Sequence, residues 1–251
     1  MSKHTLSISE DFYSIQGEGP TSGVPAVFLR LKGCNLSCGG LDTIKTKALD
    51  NGATWRCDTI ETWMQGTSVS NADILADWHE KGYIEAFQKG AHLVITGGEP
   101  LLQEEALVGF LEDLEITLEG LPYIEIETNA TLKPGPELAD MVMQYNVSPK
   151  LVNSGMLESK RVFPGVLKWF AKQENACFKF VVSDKADLVE LFQVFVGPFE
   201  LDPLQVYLMP AAEDQKTLQA ISNDVVEMCK ETGFRFSSRL QVGIWDQCVG
   251  K

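Results

Sequence analysis

Segments with the pattern of β-strands alternate with segments typical of α-helices along most of this 251-residue chain. Short apolar or alternating runs predict strands, and apolar residues three or four positions apart predict helices. Strands are predicted at residues 4–13, 25–31, 92–96, 123–128, 145–148, 177–183, 205–209 and 234–242. One helix is predicted to start at or just after Asp58. Further helices are predicted at residues 71–89, 101–114, 136–144, 157–172, 185–196 and 214–232. This alternation indicates an α/β fold, in which helices cover the outer face of a parallel sheet.

Three cysteines lie in the N-terminal part of the chain: Cys34, Cys38 and Cys57. The first two directly follow the predicted strand 25–31, and loops that leave strands often carry functional residues. Three thiolates are one fewer than a closed zinc site or a fully ligated iron–sulfur cube uses. A cube held by three cysteines would leave one iron open to a substrate or cofactor. Ordinary cytosolic cysteines and a structural zinc site are the alternatives.

A turn with two glycines follows the predicted strand 92–96, in the sequence Gly97-Gly98-Glu99-Pro100. Glycines allow a ligand to approach the backbone closely. Glu99 could offer its carboxylate to a ligand's ammonium group. Such a turn alone is weak evidence of a site, but it gains weight beside the cysteine loop.

Together these motifs resemble the radical S-adenosylmethionine (SAM) superfamily and, more closely, its 7-carboxy-7-deazaguanine synthase (QueE) family. The matching segments are residues 12–19, 28–30, 57–59, 96–103, 127–129 and 148–150, with weaker matches at 208–210 and 239–240. The resemblance implies an open partial (β/α)6-type radical SAM barrel, modified by N-terminal and cluster-loop extensions. It implies one domain over residues 1–251.

The resemblance also implies the reaction and its site. Cys34, Cys38 and Cys57 would hold a [4Fe–4S] cluster whose open iron binds SAM, and Thr59 would bind Mg²⁺. The implied SAM contacts are Arg56, Asp58, Gly98, Glu99, Ser148, Pro149, Lys150, Met209 and Pro210. The implied substrate is 6-carboxy-5,6,7,8-tetrahydropterin, converted to 7-carboxy-7-deazaguanine with loss of ammonia in 7-deazapurine (queuosine- or archaeosine-type) biosynthesis. The implied substrate contacts are Ile15, Gln16, Gly17, Glu18, Arg30 and Thr96.

Two features depart from the family pattern. The third cysteine usually stands three positions after the second, where this chain has Leu41, and we take Cys57 because only it carries a thiol. Residues 39–56 are therefore predicted to be an insertion in the cluster loop. It is either a tolerated loop or a segment that packs on the barrel and shapes the pocket. Gln241 stands where the family tends to have His, which removes a titratable group from that position.

Composition limits the compartment and the partners. The net charge of −14 argues against direct nucleic-acid binding, which needs patches of Lys and Arg. No secretory signal and no apolar run of about 18 residues is recognised, so we expect a cytoplasmic protein without a membrane partner. Six cysteines in a chain of this length do not predict a disulfide framework. We expect Cys177 and Cys229 to be core thiols and Cys248 to be exposed.

The remaining expectations concern partners and alternative functions. The resemblance implies an external electron donor of the flavodoxin or ferredoxin type and a homodimer. One alternative is another radical SAM enzyme, such as an activating enzyme for a glycyl-radical protein, although nothing in the sequence marks a surface for a protein substrate. The other is a non-enzymatic zinc-binding protein that uses the same cysteines.

Overall fold

The computed structural model describes residues 4–46, 48–248 and 250. Lys47 of the predicted insertion and residues 1–3, 249 and 251 of the predicted domain lie outside the described residues. The described part of the chain forms one sheet of nine strands. These are β1 (Thr5–Ile15), β2 (Pro25–Leu31), β3 (Thr67–Ser70), β4 (His92–Gly97), β5 (Ile124–Thr128), β6 (Gln144–Val147), β7 (Ala176–Val182), β8 (Val206–Pro210) and β9 (Arg235–Phe236).

The sheet is open and mixed. Its strand order is β3-β1-β2-β4-β5-β6-β7-β8-β9. From β2 to β9 each strand is parallel to its neighbour, whereas β1 pairs antiparallel with both β2 and β3. The predicted α/β architecture is therefore confirmed, with an antiparallel N-terminal extension at one edge.

Helices connect the parallel strands. They are α1 (Thr43–Thr46), α2 (Ile60–Trp63), α3 (Asn71–Glu80), α4 (Tyr83–Gln88), α5 (Glu104–Leu118), α6 (Pro136–Met141), α7 (Glu158–Arg161), α8 (Pro164–Phe170), α9 (Ala186–Glu190), α10 (Gly197–Phe199), α11 (Gln215–Thr232) and α12 (Leu240–Trp245). Short 3₁₀ turns lie at Pro100–Gln103, Val152–Ser154 and Pro203–Gln205, and a π-helical stretch at Leu191–Val196 continues α9. None of the helices in the described ranges is long and apolar enough to cross a membrane.

The two faces of the sheet differ in chemistry because successive residues of a strand point to opposite sides. On one face Leu29, Ile95 and Ile126 are fully buried in a cluster that also contains Trp78 and Phe110 from the helices. The other face carries polar side chains, among them Arg30, Thr96, Glu125, Glu127, Asn146 and Lys179. Helices thus cover the apolar face, and the polar face is left to line a cavity.

The prediction of a strand at residues 234–242 is wrong beyond its first residues. Of this segment, only the two residues of β9 pair with β8. The chain then leaves the sheet and forms α12 from Leu240 onward. Val242 and Ile244 have the spacing of a strand, but Val242 packs against Leu218 of α11 whereas Ile244 is exposed. Contact with α11 decides the conformation, which a local pattern could not indicate.

Two predicted helices are each divided. Gly82, with φ of +76°, separates α3 from α4 inside the predicted helix 71–89. The hydroxyl of Ser70 accepts a hydrogen bond from Asp73 N at 3.2 Å, so Ser70 is the N-cap of α3. The predicted helix 157–172 is interrupted before Pro164, because a proline disfavours helical geometry in the residue that precedes it.

The strand β3 and the short helix α1 were not predicted. β3 has only four residues, Thr-Ser-Val-Ser, and its strand conformation depends on antiparallel pairing with β1. α1 is a single helical turn within the insertion expected to be loop. Both elements are too short to leave a periodic pattern in the sequence.

Candidate active site

A cavity of about 690 Å³ lies on the polar face of the sheet, around the carboxyl ends of its parallel strands. Its volume is in the range of small-molecule sites, and the carboxyl ends of strands are where α/β sheets bind ligands. All residues that the sequence assigns to a site line this cavity except Glu99, Pro149 and Pro210. Segments far apart in the chain therefore meet as predicted, whereas the role of each residue stays a prediction.

The cysteine loop and the glycine turn are in direct backbone contact. Cys57 N donates to Cys38 O over 3.1 Å, which closes the inserted residues into a loop between the two cysteines. Glu99 N donates to Gly33 O over 2.9 Å. A Cβ atom on Gly98 would lie 2.1 Å from the same carbonyl oxygen, so this position requires glycine.

Hydrogen-bond donors lie beside the sulfurs of Cys34 and Cys57. Leu36 N donates to Cys34 Sγ and Trp63 Nε1 donates to Cys57 Sγ, both over 3.4 Å. Burial raises the pKa of Cys34 to about 11 and that of Cys38 to about 12. Such thiols stay protonated near neutral pH unless a metal displaces the proton, and hydrogen bonds to sulfur tune iron–sulfur clusters.

Three free cysteine thiols line the cavity. Within the described residues, no group of three His, Cys, Asp or Glu side chains that could hold a metal ion is found. A closed zinc site uses four protein ligands, whereas a cube held by three cysteines keeps one iron open for another ligand. The donors are therefore of the right type for a cluster, and their role as its ligands stays a prediction.

Glu99 is fully buried, and its carboxylate is bound by the protein itself. It accepts hydrogen bonds from Leu101 N at 3.1 Å, Asn129 N at 2.7 Å and Thr128 Oγ1 at 2.9 Å. Burial raises the pKa of Glu99 to about 7, although these donors favour the ionised form. The side chain thus ties the glycine turn to the end of β5, and the predicted contact with a ligand stays untested.

The inserted loop forms one wall of the cavity. Trp55 Nε1 donates to Asn153 Oδ1 over 2.8 Å, and Thr54 N donates to Asn153 O over 2.8 Å. Lys150 Nζ lies 5.8 Å from the centroid of the Trp55 ring and donates to Ser148 Oγ over 2.9 Å. The insertion therefore packs against Asn153 and lines the cavity, whereas its effect on binding stays a prediction.

The residues on either side of Cys57 are engaged in ion pairs. Arg56 Nη2 lies 2.5 Å from Glu61 Oε1, and Asp58 accepts a hydrogen bond from Arg239. Burial by itself would raise the pKa of Asp58, but the Arg239 guanidinium outweighs it and lowers the pKa. The two predicted SAM contacts thus line the cavity in a paired state.

Thr59 stands just ahead of α2, and its hydroxyl makes no capping hydrogen bond to that helix. Thr59 Oγ1 lies 3.5 Å from Cys57 Sγ, a weak interaction. The oxygen therefore retains most of its capacity to coordinate. A single hydroxyl, completed by water and substrate oxygens, is compatible with Mg²⁺.

A buried network of charges crosses the cavity floor. The Glu18 carboxylate accepts hydrogen bonds from Lys179, from Arg239 Nε at 3.2 Å and from Gln241 Nε2 at 2.8 Å. Lys179 Nζ also lies 3.7 Å from Glu127 Oε1. Burial would raise the pKa of Glu18, but Lys179 and Arg239 outweigh it and hold the pKa far below its ordinary value of 4.5. Burial would lower the pKa of Lys179, but the two carboxylates raise it.

A second buried carboxylate, Glu125, lies beside the glutamine predicted to contact substrate. Glu125 Oε2 accepts hydrogen bonds from Thr21 Oγ1 and Asn146 Nδ2, both over 2.8 Å, and Gln16 Nε2 approaches it at 3.4 Å. His92 Nδ1 lies 2.7 Å from Glu125 Oε1. Gln16 thus lies in the cavity wall next to a buried polar network centred on Glu125.

Sequence reasoning missed several residues of the site. No role was assigned to Lys179, Asn146 or Glu127, although each is a polar residue inside an apolar strand pattern, which was the available signal. The insertion residue Trp55 carried no local signal. The expected burial of Cys177 and Cys229 and the exposure of Cys248 are confirmed.

The described residues thus form an open α/β sheet whose polar face carries one cavity lined by three free cysteines and a buried charge network. No protein-family model matches the chain. It is 34% identical to the 7-carboxy-7-deazaguanine synthase of Pyrobaculum aerophilum, over 98% of this chain and 97% of that protein. It is 30% identical to the synthase of the same name from Halobacterium salinarum, over 96% and 91%. The crystal structure of QueE from Escherichia coli matches with a TM-score of 0.61 and 27% identity, over 93% of each chain.

The chain therefore belongs to the 7-carboxy-7-deazaguanine synthase family. It is an enzyme, and the family is one of radical SAM lyases whose cofactors are a [4Fe–4S] cluster and SAM. The two alternatives, a glycyl-radical activating enzyme and a zinc-binding protein, are set aside.

Proposed function

We propose that this protein converts 6-carboxy-5,6,7,8-tetrahydropterin to 7-carboxy-7-deazaguanine with loss of ammonia, as a step in 7-deazapurine biosynthesis. The observation that carries the proposal is that the three cysteines and Arg30 line one cavity. The cysteines suit a cluster, and a guanidinium suits the carboxylate that the substrate and the product share. Family membership at 34% identity over nearly the whole chain supports the same reaction.

The open sheet is proposed to be a modified (β/α)6-type partial barrel in a single domain. The six parallel strands β2 and β4 to β8 would form it, with β1 and β3 as the N-terminal extension. Such barrels have helices on their outer face and place their sites at the carboxyl ends of the strands, which is the arrangement of this sheet.

The cluster is proposed to be held by Cys34, Cys38 and Cys57. When bound, the cluster and SAM together supply a 5′-deoxyadenosyl radical that takes a hydrogen atom from the substrate. The chain's own contribution is to bind, orient and exclude water. Most of the proposed SAM contacts lie near the cysteines or at the carboxyl ends of later strands: Arg56, Asp58, Gly98, Glu99, Ser148, Pro149, Lys150, Met209 and Pro210.

The substrate is proposed to lie between the turn after β1 and the middle of the sheet. Ile15, Gln16, Gly17 and Glu18 would contact the pterin ring, whose amide and amine edge offers both donors and acceptors. Arg30 would hold the carboxylate, and Thr96 would add a hydroxyl. Thr59 would bind a Mg²⁺ that also contacts the carboxylate.

Partners and compartment are further parts of the proposal. An external one-electron donor of the flavodoxin or ferredoxin type would reduce the cluster, and two copies of the chain would form a homodimer. A reducing cytoplasm suits an oxygen-sensitive cluster and six free cysteines.

Anaerobic incubation of reconstituted protein with SAM, dithionite and the carboxy-tetrahydropterin tests the proposal. We expect brown protein with about four irons per chain. We expect 5′-deoxyadenosine, methionine and 7-carboxy-7-deazaguanine by mass spectrometry. Colourless protein containing one zinc, or SAM cleavage that never yields the deazapurine, would contradict the proposed reaction.

A further inference from the structure

We infer that Glu10 is a positioning residue for Arg30: it binds Nε of the guanidinium and turns the terminal edge, Nη1 and Nη2, toward the substrate carboxylate. The inference deepens the proposed function and rests on the role proposed there for Arg30. Glu10 has no role in the sequence-based site.

The contact is specific to one edge of the guanidinium. Arg30 Nε donates to Glu10 Oε1 over 2.8 Å, and the two side chains are 12% and 24% exposed. Within residues 4–46, 48–248 and 250, no group accepts a hydrogen bond from Nη1 or Nη2 of Arg30. The arginine also lines the cavity.

A β-bulge creates this pairing. Along β1 and β2, Ile8 is opposite Leu31 and Glu10 is opposite Arg30, so Ser9 is an extra residue with no partner on β2. Without the extra residue, Ser9 would stand opposite Arg30. Bulges of this kind redirect side chains next to active sites. Ser9 Oγ donates to Gln65 O over 2.7 Å, which holds the bulged residue.

The neighbouring pairs show that Glu10 shares the cavity face of the sheet. Two residues further along β1, Phe12 is opposite Phe28, and their rings stack with centroids 4.9 Å apart. Both rings line the cavity. Because side chains alternate along a strand, Glu10 and Arg30 lie on the same face as this pair.

The geometry of arginine explains why the contact matters. A guanidinium can bind a carboxylate through Nε and one Nη, or through both Nη atoms. Glu10 occupies Nε, so only the terminal edge remains for a ligand. An Arg30 guanidinium that is already fixed loses less conformational freedom on binding a carboxylate than a mobile one does. This fixation favours affinity.

The charge of Glu10 acts in the opposite direction. An anion beside Arg30 weakens the attraction of the guanidinium for a second anion. Asp58, itself paired with Arg239, is a second charged group whose pKa Arg30 affects. If Glu10 acted only through its charge, removing it would strengthen carboxylate binding, whereas loss of orientation would weaken it.

The experiment measures binding of the carboxy-tetrahydropterin to anaerobic holoenzyme with SAM and without reductant, by calorimetry. Glu10→Ala should weaken binding by roughly 10- to 100-fold, as expected for a lost hydrogen bond to a charged group. Glu10→Gln keeps an acceptor for Nε and should stay within about threefold of the wild type. Tetrahydropterin without the carboxylate should bind all three proteins equally.

Glu10→Asp is the third variant, chosen because it keeps the charge and disturbs folding little. Its shorter side chain cannot reach Nε in the same geometry, so it should weaken binding like Glu10→Ala. Wild-type affinity in Glu10→Asp, tighter binding in Glu10→Ala, or equal losses for the analogue without the carboxylate would each overturn the inference. Failure of the wild type to prefer the carboxylated pterin would instead overturn the proposed function, and the inference with it.

Discussion

The ammonium group of Lys179, on β7, contacts the carboxylate of Glu18, in the turn after β1. The two side chains are only 5% and 11% exposed. Arg239 binds the other oxygen of Glu18, so one carboxylate joins the N-terminal turn, a central strand and the segment before α12. The wall of the cavity is thereby held together by charges from three distant parts of the chain.

Lys179→Met should destabilise the protein strongly. The substitution leaves Glu18 buried with one fewer cation, and breaking a buried pair costs on the order of 3–5 kcal/mol in unfolding free energy. Lys185→Met is the matched control, since its contact with Glu231 is exposed and should contribute less than about 1 kcal/mol. Denaturant unfolding of both variants measures the difference, and equal losses would contradict the structural role given to Lys179.

Glu99 should make stability depend on pH near neutrality. Its folded pKa of about 7 lies above its ordinary value of 4.5, so the folded state holds this proton more tightly than the unfolded state does. The contribution is present below pH 4.5 and is lost as pH rises through about 7, a change on the order of 3 kcal/mol.

Glu99→Gln should remove this dependence. Between about pH 4.5 and 7, the wild type should lose stability relative to Glu99→Gln, and the exposed Glu105→Gln should follow the wild type. Denaturant midpoints across that range provide the test. Parallel curves for the wild type and Glu99→Gln would mean that Glu99 is ionised throughout.

Cys57→Ala should abolish cluster assembly. Two thiolates cannot hold a cube in the usual way, so iron content and visible absorbance should fall to background after reconstitution. Cys248→Ala is the control, because that thiol is exposed and is not assigned to the cluster. Full iron content with normal SAM cleavage in Cys57→Ala would move the third ligand to another cysteine.

Gly98→Ala should disturb the cysteine loop. The added methyl group would lie 2.1 Å from Gly33 O, a backbone atom, so the loop ahead of Cys34 must shift. We expect less iron per chain and weaker SAM binding. Gly165→Ala places its methyl group in open space and should change neither measurement. Normal iron content and SAM affinity in Gly98→Ala would show that the loop is more adaptable than its contacts suggest.

Deletion of residues 41–56 restores the family's cysteine spacing and should keep the iron, but it should weaken SAM binding. The deletion removes the Trp55 ring beside Lys150 and the contacts to Asn153. Trp55→Leu in the full chain should reproduce a loss of roughly 2- to 20-fold, the range of a cation–π contact. Equilibrium binding of SAM to the reconstituted proteins measures this, and unchanged affinity in both would make the insertion a passive loop.

Much of the fold could be read from the sequence because strands and helices leave local periodic patterns. The predicted strand 25–31 coincides with β2, and the alternation predicted the parallel sheet. The cysteines and the glycine turn were recognisable for a similar reason, since the chemistry proposed for them requires fixed residue types at short spacing. These features depend on neighbours within a few positions of the chain.

Tertiary structure alone decided which charges meet. Glu18 pairs with Lys179 and Arg239, at separations of 161 and 221 residues, and no local pattern indicates such partners. The bulge at Ser9 that places Glu10 opposite Arg30 depends on the register of two strands. The sequence by itself thus predicted the α/β architecture with its parallel strands, and it supplied the three cysteines that are proposed as cluster ligands. Strand register and packing decided the charge network, the wall formed by the insertion and the helix α12, because their energies depend on residues brought together only in the folded state.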